Sequence, residues 1–254
     1  MTKLNEPAST PVQTIVKRLI LFDIDGTLVW GGPAKEAFTV ALARVFGATP
    51  PVNLTLDRVV ELAPKVVFAG RTDPQIAREL LRRAGLDDGR IDEGLSRLWT
   101  LYPRELERRL PAKPVTALAG VPELLAALGD REDVAMGLVT GNIREGARLK
   151  LGSAGLAAEA FPAGGFGCDR ESRNHLPAVA VGRAEQVWGV RFPPESVVVV
   201  GDTPLDVECG RHFGARTVAV ATGHFGAAEL KATGADHVAP DLTRTREVVD
   251  VLMA

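Results

Sequence analysis

A strand that is apolar on both faces needs cover on both faces, so a run of that kind confines a chain to layered α/β folds. Residues 18–22, reading RLILF, form such a run. Two carboxylates stand just beyond it, Asp23 and Asp25, and Gly26 and Thr27 then turn the chain without bulk. Two acids that close repel each other and are costly to desolvate unless a cation or a reacting group compensates, so the pair points to a metal or a catalytic role. Without such a role they would only cap a turn or the next helix.

Beyond Pro114 the chain alternates helix and strand, the rhythm of a parallel sheet with helices on both faces. Helices are expected over 121–129, 143–154, 175–188, 204–213 and 246–253, and strands over 134–139, 161–166, 196–200, 216–221 and 237–239. Upstream the pattern is different. Helical spacing covers 34–46, the Thr49-Pro50-Pro51 break interrupts it, and a short helix follows over 56–62. Asp73 reads as an N-cap with Pro74 at the first helical position, opening a helix over 75–84, and a helix over 89–110 is expected to bend or divide at Pro103. No strand pattern shows between Leu28 and Pro111. The expected fold class is therefore α/β. It comprises a three-layer αβα Rossmann-like core with a parallel sheet (14–31 and 113–254) and an inserted all-helical domain (32–112), with crossings near Gly31 and Lys113. Inserted modules with flexible crossings often act as lids. The alternative is that these helices form one packed layer of the sheet. Residues 1–13 read as a flexible leader.

The second acidic site follows the most strand-like run, SVVVV, over 196–200. Asp202 stands at the strand's C-terminal end, and Asp206 lies one turn along the helix that Pro204 helps to start. Both can face the crevice at the carboxyl ends of the strands, where Asp23 and Asp25 also sit. Such a cluster of carboxylates, with no cysteine or histidine among them, is a hard oxygen donor set suited to Mg²⁺ and not to zinc. Thr140-Gly141-Asn142, after the strand over 134–139, offers a hydroxyl and exposed amides at a helix start, an anion cradle or a plain N-cap.

Taken in order, these stretches resemble the haloacid-dehalogenase-like (HAD) hydrolase superfamily. Asp23-Ile24-Asp25-Gly26-Thr27-Leu28 is similar to its first motif, Thr140-Gly141-Asn142 to its second and residues 201–206, GDTPLD, to its fourth. The family expects a lysine between the second and fourth, yet none occurs between Lys150 and Lys231; Arg173 is the nearest equivalent and Arg170 the competitor. The helical insertion resembles the cap of members such as phosphoglycolate phosphatases and β-phosphoglucomutase. Gly70-Arg71-Thr72-Asp73 is similar to their cap loop, where Arg71 or Thr72 would touch the leaving group, or else cap a helix. The resemblance implies that Asp23 attacks phosphorus to give an aspartyl-phosphate, while Asp25 protonates the leaving oxygen and then activates water. It implies Mg²⁺ held by Asp23, the Asp25 backbone carbonyl, Asp202 and Asp206, with Thr140, Gly141, Asn142 and Arg173 on the phosphate. A Mg²⁺-dependent phosphatase of a small phosphorylated metabolite is the expected function. A phosphomutase and a non-catalytic phospho-ligand-binding protein are the alternatives.

A net charge of −2 supplies no field to hold nucleic acid or an anionic membrane, so phosphate binding has to be local. Cys168 and Cys209 lack a CxxC partner and read as buried small hydrophobes; His175, His212, His224 and His237 show no ligand spacing and read as structural or surface residues. Trp30, just after the first acidic pair, is expected to fill the interface with the helical segment or else to line the entrance to the site. With no long apolar run, the expectation is a reduced, cytoplasmic protein without a membrane segment, monomer or dimer.

Overall fold

The computed structural model describes residues 17–47 and 54–254. The expected leader and the Thr49-Pro50-Pro51 break lie outside the described residues. Six strands form one parallel sheet: β1 (Arg18–Phe22), β4 (Val134–Thr140), β5 (Ala163–Phe166), β6 (Val197–Gly201), β7 (Arg216–Val220) and β8 (His237–Ala239), in the spatial order β5-β4-β1-β6-β7-β8. β1 lies between β4 and β6, with Phe22 opposite Leu138 on one side and Val200 on the other. The strand order reverses there, first in one direction from β1 and then in the other, and a crevice opens at the carboxyl ends of the strands.

The doubly apolar reading of β1 has its counterpart in two cores. Leu19 and Leu21 pack with Val197, Val199 and the Leu176–Ala180–Ala184 stripe of helix α7 (Leu176–Trp188). Ile20 and Phe22 face the other way, into a larger core with Val198, Val200 and Leu124 of α5 (Val121–Gly129). Helices α6 (Arg144–Ser153), α8 (Pro204–Phe213), α9 (Ala227–Ala232) and α10 (Thr245–Met253) complete the wrapping.

Two strands escape the sequence pattern. β2 (Val29–Gly31) and β3 (Val115–Ala117) pair antiparallel in a separate ribbon, at the two places where a crossing was expected. Both lie outside the alternation of helix and strand that placed the equally short β8. Between them every regular element among the described residues is helical: α1 (Ala34–Phe46), α2 (Leu56–Leu62), a 3₁₀ turn, α3 (Asp73–Arg83) and α4 (Asp88–Arg109). This run closes on itself. Phe38 of α1 meets Tyr102 of α4 edge-on at 5.0 Å between ring centres and stacks on Trp99 at 6.4 Å.

Two local expectations need correction. α4 runs through Pro103 undivided, since an internal proline removes only its own bond to the preceding turn when packing holds the rest, and Pro103 is buried. Thr72, not Asp73, caps α3: its hydroxyl accepts from Gln75 N at 3.3 Å while Gln75 Oε1 accepts from Thr72 N at 3.2 Å. Among the described residues no helix is long and apolar enough to cross a membrane.

Candidate active site

Asp23 follows β1 directly, and its amide donates to Val200 O at 2.9 Å, which fixes it against β6. The turn that Gly26 permits folds back so that the Leu28 and Val29 amides both donate to Ile24 O. Asp202 follows β6, and its Oδ1 accepts from the Thr27 hydroxyl at 3.2 Å. Asp206 sits in the first turn of α8, where a second capping box operates: Thr203 N and Oγ1 donate to Asp206 Oδ2 at 2.9 and 2.7 Å. Oxygens of Asp23, Asp202 and Asp206 all lie within 4.8 Å of one another. Backbone closes tightly around the group. A Cβ on Gly26 or Gly223 would fall 2.3 or 1.6 Å from Asp202 Oδ2, so only glycine leaves that carboxylate room.

Arg173 stands on a 3₁₀ turn before α7 and is 4% exposed. One of its terminal nitrogens, Nη2, donates to Asp23 Oδ1 at 2.7 Å and to Asp206 Oδ1, and the other, Nη1, to Gly70 O at 3.0 Å. Arg170 is exposed and donates only to Asp169 O. Of the two candidate arginines, geometry brings Arg173 alone to the acids.

The Asp25 side chain stands outside that triad. Lys150 Nζ donates to its two oxygens at 2.8 and 2.6 Å, and Asn142 Nδ2 donates to Oδ2 at 2.7 Å. Asn142 in turn accepts from Lys150 at 2.7 Å and donates to the Thr140 hydroxyl at 2.8 Å. Lys150 is the site residue that motif reading misses. Its signal was present, because it falls on the inward stripe of α6 with Gly146, Ala147 and Leu151, where a lysine has to have a partner.

Electrostatics separate the acids. Burial pushes Asp23 up to about 7; Arg173 offsets part of this, while Asp206 and Asp25 add to it. Burial, then Asp206 and Asp23, lift Asp202 to about 9. Burial opposes ionisation of Asp25 as well, but Lys150 and Asn142 prevail and hold it below its ordinary value. A triad with one guanidinium among three carboxylates is short of positive charge, and its oxygen-only donors fit Mg²⁺.

These groups form one end of a cavity of about 460 Å³ whose other walls come from the ribbon and from the helical run. Arg71 lines it, its guanidinium held by Glu79. Thr72 does not line it: fully buried, it donates to Glu171 O at 2.7 Å and caps α3. Asp73, freed from capping, reaches across to accept from Ile143 N at 2.8 Å, and burial lifts it to about 6. Trp30 fills no interface. It is 43% exposed and meets His224 at a tilt, 5.1 Å between ring centres, and His224 lines the cavity with it instead of serving the fold alone. Cys209 is buried as expected, and burial pushes its thiol up to about 12, whereas Cys168 is exposed.

Known proteins resemble this chain in sequence and in fold. A family model described as HAD-hydrolase-like matches residues 176–245. Over 204 residues, 80% of this chain and 84% of the other, the sequence is 30% identical to a phosphoglycolate phosphatase of Synechococcus elongatus. Among solved structures, a hydrolase from Pseudomonas syringae superposes with a TM-score of 0.62 at 22% identity, covering 92% of this chain and 98% of that one. CbbY from Rhodobacter sphaeroides, solved in complex with phosphate, gives 0.63 at 17% identity over 90% and 96% of the two chains.

Proposed function

The chain belongs to the haloacid-dehalogenase-like hydrolases and is a phosphatase of that superfamily, and from there we propose that it hydrolyses a phosphomonoester of a small metabolite through a phospho-Asp23 intermediate. One observation carries the reading: acids from two distant strand ends, Asp23 and Asp202, meet with Asp206 within 4.8 Å, while Asp25 is held apart by its own lysine.

In the first half-reaction a carboxylate oxygen of Asp23 bonds to phosphorus as the ester P–O bond breaks, and Asp25 gives its proton to the departing oxygen. In the second, Asp25 takes a proton from water, whose oxygen bonds to phosphorus and displaces Asp23, leaving inorganic phosphate. Asp23, Asp202 and Asp206, with the Asp25 carbonyl, would hold Mg²⁺, which supplies positive charge against the repulsion between Asp23 and the phosphate. Arg173 and Lys150 each already hold one of the two working acids, and an arriving phosphoryl dianion competes for both. Lys150 in particular has to turn from Asp25 to the phosphoryl oxygens before Asp25 carries a proton. Thr140, Gly141 and Asn142 complete the cradle.

Residues 32–112 serve in this reading as a cap over a core of 14–31 and 113–254. Polar contacts across the seam support it, since Asp73 to Ile143, Thr72 to Glu171 and Arg173 to Gly70 are bonds that water can replace on opening. The test is release of inorganic phosphate from a panel of phosphomonoesters with Mg²⁺. Asp23→Asn abolishes it if Asp23 is the nucleophile, and turnover that survives the substitution sinks the covalent route.

A further inference from the structure

Granted the phosphatase reading above, we infer that the alcohol this enzyme releases is a broad apolar one carrying a ring, and not a two-carbon acid or a sugar. The cavity of about 460 Å³ lies within the usual range for whole small-molecule ligands, roughly 300–1,000 Å³. A phosphoryl group bound among Asp23, Asp25, Thr140, Lys150, Arg173 and Asp202 occupies one end. What remains is walled by Trp30, Phe38, Phe68, Ile76 and Tyr102.

Trp30, 43% exposed, and half-buried Phe68 present the aromatic surface of these walls, while Phe38 and Tyr102 are buried. Phe38 meets Phe68 edge-on at 6.4 Å and Tyr102 edge-on at 5.0 Å, so a ring entering beside them finds the edge and face contacts that aromatic pairs favour. Most of the charged groups on the same side are already engaged. Arg71 is held by Glu79, Lys113 by Glu36 at 2.6 Å, Asp73 by the Ile143 amide at 2.8 Å, and Lys35 lies 5.1 Å over the Phe68 ring. A sugar brings hydroxyls that each lose water on entry, and a short acid brings a second charge. Against several hydroxyls the walls offer chiefly Lys35, His224 and the Tyr102 hydroxyl, and a two-carbon acid is too short to cover the aromatic side, so a sugar leaves polar groups unpaired and a short acid leaves the apolar wall wet.

The experiment is a set of kcat/KM measurements on the full chain with Mg²⁺ for ethyl phosphate, 2-phenylethyl phosphate, 2-phosphoglycolate and a hexose 6-phosphate. Ethanol and 2-phenylethanol are alcohols of similar acidity, so a difference between their esters reports binding of the ring and not ease of departure. Burying a phenyl group predicts a preference for the phenylethyl over the ethyl ester of about tenfold or more. Removing part of its wall with Phe68→Ala lowers that ratio about fivefold. Equal rates for the two esters, or higher kcat/KM for 2-phosphoglycolate or the hexose phosphate, overturn the inference and leave the phosphatase reading standing. No hydrolysis of any ester overturns the phosphatase reading and this inference with it.

Discussion

Arg173 touches two of the three clustered acids, and that position decides what its loss would do. Arg173→Met leaves Asp23 and Asp206 buried without their cation, and breaking a buried pair from one side costs about 3–5 kcal/mol. The variant is expected to melt at lower temperature and to lose roughly 10²–10³ in kcat, as sites do when a preorganised positive donor is removed. Arg173→Lys keeps the charge but cannot span Asp23, Asp206 and Gly70 O together, so it should recover stability more than rate. Lys150→Met acts on the other acid. With the ammonium gone only Asn142 and the more remote Arg173 offset the desolvation of Asp25, and kcat/KM for a phosphate ester should fall about 10²-fold as one charge-assisted contact to the phosphoryl group disappears. Full activity in Lys150→Met would exclude this lysine from the reaction. These two cations also mark how far residue reading goes. Asp23, Asp25, Asp202 and Asp206 were legible because each ends a strand or opens a helix at a fixed spacing. Lys150 was not, since it reaches the site from the second turn of α6, where only the burial of a helix face, and no motif, betrays it.

For the elements, the one-residue shift of the α3 cap has consequences. Because Thr72 caps the helix, Asp73 is free to bond the first amide of α6 across the seam. Burial raises Asp73 from 3.8 to about 6, so what the carboxyl contributes is intact below about pH 4 and is lost as pH rises through 6, where folding has to bury the charge. Asp73→Asn keeps an oxygen for the Ile143 amide and removes the charge. It should change stability little at pH 4 and raise it at pH 8, by at most about 3 kcal/mol for a shift of roughly two units. Denaturant midpoints at the two pH values check this, and a gain of equal size at both would show that ionisation is not the cause. Periodicity was a good guide to most helices: α1, α2, α5 and α8 fall where the apolar spacing puts them. It missed β2 and β3 and the six residues of α9.

On the scale of the whole molecule, the site exists only because strands far apart in sequence are neighbours in the sheet. β1 and β6 pair directly, and this brings acids from positions 23 and 202 together under a helical run that begins and ends at one ribbon. Fold and cluster were readable from sequence for that reason: parallel strands with short turns deliver their terminal residues to a common edge whatever the loops between them do. The composition of the cavity wall was not, since it depends on how α1 and α4 pack and on where residues 66–71 lie against them. The charge balance of the edge makes a final prediction about stability. Without a cation, folding buries three carboxylates against one guanidinium, and Asp202, lifted to about 9, takes up a proton to fold at pH 8. Its raised value means that this contribution weakens as pH climbs from about 4 through 9, so the metal-free protein should lose stability toward alkaline pH. Mg²⁺ reverses the loss by binding the folded state alone, adding about 2.7 kcal/mol at a hundred times its Kd. Asp202→Asn should separate the two effects: it melts higher than the wild type in chelator at pH 8, yet gains little from Mg²⁺. If the variant in chelator is less stable than wild type and still responds fully to the ion, then Asp202 is neither the strained acid nor a ligand, and the cation would have to be held elsewhere.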